Sequence, residues 1–281
     1  MKKGISMGAF TPASCAENFA LVKKFGFDGA ELMLEAEGEL GLTSSKDDIV
    51  KVGRAAADAG IELYSVTTGL YWEYSMTSPD KAEREKAKSV AKKQIEAAAL
   101  LGCDTVLIVP GATGVDFAPS LGVTDYSDAY ERAMEAIKEL APFAEEHKVS
   151  IGVENVWNKF LTSPLEMQRF IDEVDSPFVG SYFDVGNVLV NSYPEHWIRA
   201  LGARIKKVHF KDFKRCVGTL DGFCDLLAGD VDYAAVMQAF RAVGYDDWVT
   251  AEVFPYRAHN DVMLAHTSMA MDKILGRNLS W

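Results

Sequence analysis

The chain has 281 residues, of which 48% are hydrophobic and 25% charged, proportions that exclude disordered and fibrous classes and leave material for a substantial core. Its 41 Asp and Glu outnumber 29 Lys and Arg, and the net charge of −12 argues against nucleic acid or an anionic membrane as partner, since both need a basic surface; a small molecule is favoured. No run of about 18 apolar residues marks a membrane span, the start MKKGISMGAF lacks a signal peptide's apolar stretch and cleavage site, and Cys15, Cys103, Cys216 and Cys224 form no C-x-x-C pair, so the expectation is a cytoplasmic protein with reduced thiols.

In chain order, β-rich runs alternate with helical stretches. KGISMGAF is followed by SCAENFALVKKFG, GAELML by DDIVKVGRAAADAG, IELYSV by REKAKSVAKKQIEAAALLG, and DTVLIVPG by DAYERAMEAIKELAPFAEEH. SIGVEN precedes PLEMQRFIDEVD, VGSYFDVGN precedes PEHWIRALG, IKKVHFKD precedes YAAVMQAFRAVG, and WVTAEVF precedes DVMLAHTSMAMDKILG. The helical stretches carry apolar residues three and four apart and often finish in glycine. Caps are expected at Ser127 or Asp128, a capping box at Ser163 to Glu166, and a helix start at Tyr193 and Pro194.

Eight strand and helix units in 281 residues predict an α/β fold, a single (β/α)8 TIM barrel domain spanning residues 1–281. A doubly wound sheet is the alternative, but no G-x-G-x-x-G or G-x-x-x-x-G-K-[ST] supports it. The longer loops follow strands 2, 3, 4 and 7, which in a barrel places them on the C-terminal face, where such barrels hold their active sites.

Four strand ends carry the chemistry. Glu154, Asp184, His209 and Glu252 close strands 5, 6, 7 and 8 at intervals of 30, 25 and 43 residues, about one β/α unit each. Adjacent strands would aim three carboxylates and one imidazole into one side of the barrel mouth, where like charges repel unless a cation neutralises them. That donor set suits one hard or borderline divalent ion, Mn2+ first, with Mg2+, Co2+ or Zn2+ as alternatives.

With ENVWNKFLTSPLEM, FDVGN and HFKD, this constellation resembles the sugar phosphate isomerase/epimerase group of the xylose-isomerase-like TIM barrels. The nearest branch is that of pentulose- and hexulose-phosphate 3-epimerases and hexulose-6-phosphate isomerases. The resemblance covers essentially the whole chain and is strongest from Ile151 to Asp212. It implies that Glu154, Asp184, His209 and Glu252 bind the metal and that Glu154 and Glu252 also act on the substrate. The ketohexose 3-epimerases are more distant: they carry a histidine three residues after the metal aspartate and a glutamate six after the first metal glutamate, where this chain has Asn187 and Phe160.

The implied reaction is epimerisation or isomerisation of a ketose or ketose phosphate. A proton next to the carbonyl is removed, and a metal-stabilised enediolate is reprotonated. Glu154 and Glu252, at opposite ends of the ligand arc, would flank the substrate. A lyase using the same enolisation, acting on a keto-inositol or eliminating from a keto sugar or keto-glycoside, is the alternative.

Expected substrate contacts are Trp72, Trp157, Asn158, Lys159, Asn187, Lys211, Arg215 and Arg257, with Tyr71 beside Trp72 as a further wall. Arg215 also matches an arginine that the ketohexose epimerases carry six residues after the metal histidine. Arg215 and Arg257, with Lys214, lie in the loops after strands 7 and 8, where barrels often hold phosphate, while the loops after strands 2 to 4 carry acidic residues, so a phosphorylated or otherwise anionic substrate is favoured. Glu31 reads as a hydrogen-bonded barrel residue, and His147, His196, His259 and His266 as structural or exposed. A homo-oligomer is compatible with the sequence.

Overall fold

The structure, a computed structural model, describes residues 1–10 and 14–277. Eight parallel strands close a barrel: β1 (Lys2–Ser6), β2 (Gly29–Met33), β3 (Glu62–Thr67), β4 (Thr105–Ile108), β5 (Ser150–Glu154), β6 (Val179–Asp184), β7 (Ile205–Phe210) and β10 (Trp248–Ala251). Around the ring the order is β1, β10, β7, β6, β5, β4, β3, β2, as the (β/α)8 reading requires. The helices are α1 (Cys15–Lys24), α2 (Lys46–Ala59), α3 (Lys81–Leu101), α4 (Tyr126–His147), α5 (Pro164–Val174), α6 (Pro194–Leu201), α7 (Tyr233–Val243) and α8 (Asn260–Leu275).

Local sequence explains where the helices begin and end. Ser14 with Glu17 and Ser45 with Asp48 form capping boxes for α1 and α2, while Gly60, Gly102, Gly244 and Gly276 end four helices in the left-handed conformation. Two cap expectations are corrected. Asp125, not Ser127 or Asp128, caps α4, its carboxylate accepting from the Ser127 amide. At α5 the box is half made: Ser163 accepts from the Glu166 amide, but the Glu166 carboxylate takes the Thr162 amide instead.

Each helix buries one stripe against the barrel. Met167, Phe170, Ile171 and Val174 do this on α5, and each fully buried side chain of that size contributes ~1.5–3 kcal/mol. No helix among the described residues is long and apolar enough to cross a membrane.

One feature of the C-terminal face had no sequence pattern to announce it. After β7 the chain forms a two-residue antiparallel ribbon, β8 (Asp212–Phe213) against β9 (Phe223–Cys224). The buried Asp212 carboxylate holds this loop by accepting from the amides of Phe213, Leu227, Gly229 and Val231 at 2.8–3.2 Å. Position 229 has to be glycine, because a Cβ there would lie 2.2 Å from Asp212 Oδ1.

Candidate active site

The four strand-end residues meet at the barrel mouth. Glu154 and Asp184 are the last residues of β5 and β6, His209 pairs in register with Asp184 across β6 and β7, and Glu252 directly follows β10. One ligand atom from each lies within 4.8 Å of all the others. His209 Nδ1 faces the three carboxylates, 3.0 Å from Glu252, 3.8 Å from Glu154 and 3.9 Å from Asp184.

Neighbouring residues hold the donors in place. The Asn187 amide donates to Asp184 Oδ1 at 2.7 Å, and the Asn155 side chain clasps the Asp184 backbone, donating to its carbonyl at 2.8 Å and accepting from its amide at 2.9 Å. The Asn187 side chain donates to the Asn155 carbonyl and reaches Glu154 at 3.5 Å. Trp157 Nε1 in turn donates to the Asn187 carbonyl.

Yet Asp184 Oδ2, His209 Nδ1 and Glu252 Oε2 are buried without a hydrogen-bond partner. Buried polar atoms are normally paired, so three orphans pointing at one spot fit a cation there. The donor set of three carboxylate oxygens and one imidazole nitrogen fits a divalent ion. Lys211 approaches Glu252 at 2.7 Å and Asp184 at 3.4 Å, as an ion pair without hydrogen-bond geometry.

Charge at the site is strained accordingly. Burial pushes Glu154 up to about 7, with the Glu252 carboxylate adding to the rise, and pushes Asp184 up to about 6. Burial opposes ionisation of Glu252 too, but Lys211 and His209 beside it outweigh this and hold its carboxyl well below the usual range.

Above the cluster opens a cavity of about 360 Å³. Its walls are largely apolar: Met33, Leu107, Val109, Leu220 and Val253 with the aromatic rings of Phe117, Phe223 and Phe254. Of the expected substrate contacts, Trp72, Trp157, Asn187 and Lys211 line it. The others are elsewhere.

Asn158 is buried with its amide on the Gly111 carbonyl and its oxygen on the Phe160 amide, so it braces a loop. Lys159 pairs with Asp116 on the edge of a second cavity of about 290 Å³ beyond Trp157. Arg215 is exposed, its guanidinium 4.7 Å from the ring centre of Tyr193, a better partner than open solvent. Arg257 is exposed beyond the rim. Tyr71 is buried with its hydroxyl on Gln94. His147 bonds the Phe143 carbonyl, His196 lies 3.9 Å from Glu195, His259 stands at the start of α8 and His266 lies 3.7 Å from Asp225; none of them lines the cavity.

Sequence reasoning missed Asn155, Asp212 and the phenylalanines Phe117, Phe223 and Phe254 of the wall. Asn155 follows Glu154 in the quoted GVEN, and Asp212 ends HFKD, so adjacency to a ligand was the available signal.

A family model described as xylose isomerase-like TIM barrel matches residues 19–273. Among curated proteins, the putative L-ribulose-5-phosphate 3-epimerase of Escherichia coli is 24% identical over 261 residues, covering 89% of this chain and 87% of the relative. The L-ribulose-5-phosphate 3-epimerase of Salmonella heidelberg is 22% identical over 292 residues, 100% of this chain and 97% of the relative. A solved structure of L-ribulose 3-epimerase superposes with a TM-score of 0.82 at 20% identity, covering 98% of this chain and 94% of the other.

Proposed function

The chain belongs to the xylose isomerase-like TIM barrel family, and on that premise we propose that it is a metal-dependent ketose epimerase or isomerase, with C3 epimerisation favoured. One observation carries the reading: four residues on four neighbouring strands bring a donor atom each within 4.8 Å of the others, and three of these residues keep a buried atom without a hydrogen-bond partner. The relatives' names, L-ribulose-5-phosphate 3-epimerase, support the same class.

Glu154, Asp184, His209 and Glu252 would hold the ion. When bound, it would supply Lewis-acid polarisation of the carbonyl and stabilise the enediolate formed by the adjacent carbon. The protein's part is positioning and proton transfer. Asp184 and His209, tied by Asn155, Asn187 and their own strands, serve only as ligands. Glu154 and Glu252 stand at opposite ends of the arc, so one removes the proton from one face of the substrate and the other delivers a proton to the opposite face. An isomerase moving one proton along one face would need a single base, which is why two carboxylates favour epimerisation. Trp72, Trp157, Phe117 and Phe223 shield the reacting carbon from water.

The cavity wall supports an uncharged ketose over the phosphate in the relatives' names. Apart from His209, its one cationic side chain among the described residues is Lys211, already engaged by Glu252 and Asp184. A lyase would share the first step but lose a leaving group.

The test is incubation of the Mn2+-loaded protein with matched ketoses and ketose phosphates in D2O, followed by NMR. Deuterium at C3 with an inverted product is expected. Deuterium at C1 would point to an isomerase and an eliminated fragment to a lyase, while no exchange with any sugar would overturn the reading.

A further inference from the structure

Glu31 lies at the middle of β2, wholly buried inside the barrel. An ionisable side chain so far from water is costly unless it is paired, and its partners identify what it does. In the ring of eight strands β2 stands opposite β6, four places away, and Glu31 reaches across that diameter to accept a hydrogen bond from the Tyr182 hydroxyl. The same carboxylate lies 2.9 Å and 3.2 Å, through its two oxygens, from Nε2 of His209 on β7.

The Tyr182 ring is itself fixed. Its centre is 4.7 Å from that of His209, and it packs on β5 at Gly152, where a Cβ would come within 2.9 Å of Tyr182 Cβ.

With Glu31 ionised, its oxygens accept from both Tyr182 and His209, which places the hydrogen of the second contact on Nε2. The other ring nitrogen, Nδ1, is the one that faces Glu154, Asp184 and Glu252.

We propose that Glu31 is a positioning residue for the metal centre: it sets the orientation and tautomer of His209 so that the imidazole ligates through Nδ1, and Tyr182 fixes Glu31 in turn. The inference rests on the metal-centred reading above. A hydrogen-bonded carboxylate behind a ligating histidine typically governs metal affinity by 10- to 100-fold, so Glu31 belongs to the site although it lines no part of the cavity.

Two measurements test this without reference to turnover. Mn2+ affinity is titrated by electron paramagnetic resonance for the wild type, Glu31→Gln, Glu31→Met and Tyr182→Phe, with circular dichroism confirming each fold. Separately, 15N NMR of the Zn2+-loaded wild type reads which nitrogen of His209 carries hydrogen.

Glu31→Met is expected to weaken Mn2+ binding ~10- to 100-fold. Glu31→Gln, whose carbonyl still accepts from Nε2, should lose less, and Tyr182→Phe least. The wild-type ring should show a protonated Nε2 and a ligated Nδ1. Wild-type affinity in a folded Glu31→Met, or ligation through Nε2, overturns the proposal while leaving the metal reading intact. If Glu31→Met does not fold, Glu31→Gln and the NMR pattern still decide it. A wild type that binds no Mn2+ overturns both.

Discussion

At the N-terminal end of the barrel, the buried Lys207 ammonium sits 2.9 Å from Asp104 and 2.5 Å from Asp247, and Lys3 is held 2.7 Å from Asp272 and 3.0 Å from the Ser268 hydroxyl. At the C-terminal end, Asp184 and His209 are as deeply buried, yet each keeps an atom with no hydrogen-bond partner, as does Glu252. Apart from His209, the single cation beside the three carboxylates among the described residues is Lys211. Both ends bury charge. The first matches it within the protein, as a structural ion pair requires, and the second leaves an acidic pocket incomplete. The difference teaches that burial alone does not mark a functional site; unmatched donors with a common focus do.

The largest effect should come from the incomplete end. Chelation, or Asp184→Ala, is expected to abolish activity, and Mn2+ should restore the chelated wild type but not the variant. Full turnover by protein shown metal-free by mass spectrometry would erase the contrast between the two ends.

Next in size, Glu154→Gln and Glu252→Gln should each lower kcat by at least ~10²-fold, the usual minimum for a positioned acid or base. Metal content has to be measured on the same samples, because both residues are also ligands. In metal-free protein Glu154→Gln should maintain or raise the melting temperature, since it removes one of three crowded carboxylates, whereas Glu252→Gln should lower it, because the buried Lys211 loses its ion-pair partner. A Gln variant that retains metal and full kcat would show that its glutamate moves no proton.

The matched end should behave in the opposite way. Asp104→Ala with Asp247→Ala strands the Lys207 ammonium and is expected to cost ~3 kcal/mol of stability by denaturant titration. The variant's kcat should stay within about 2-fold, the change lying far from the reacting groups. Unchanged stability would mean that Lys207 does not depend on its partners.

The smallest effect is expected at the rim. Arg215→Ala and Arg257→Ala should change kcat/KM by less than about 2-fold, as surface substitutions away from the chemistry do. They should act alike on a ketose and its phosphate. A phosphate advantage in the wild type that shrinks in either variant would return these arginines to the substrate site.

How much of this was readable from sequence varies with what physics leaves in the letters. The barrel was legible because β-rich runs and helical periodicity alternate with glycine stops. The cluster that could hold a metal ion was legible because a strand's last residue projects from the barrel mouth, so position along the chain is position in the site. Arg215 and Arg257 do not line the cavity, because charge and loop membership do not set a side chain's direction; Arg215 turns to Tyr193. The β8–β9 ribbon was invisible, two residues being too few for any period. Glu31 was read correctly as hydrogen-bonded, but its partners, 151 and 178 positions away, could not be named from one sequence.

Asp212 has a consequence for how this barrel could change over evolutionary time. Its carboxylate ties both feet of the loop after β7, at residues 213 and 227 to 231, directly beside Lys211. Leu220 and Phe223, which meet the ligand space, lie between those feet. The span between is therefore anchored at both ends by one side chain next to Lys211, so a change of length between the feet would leave the clasp in place. The wall residues that this loop supplies and the strand ends that carry the donor cluster are separate pieces of chain.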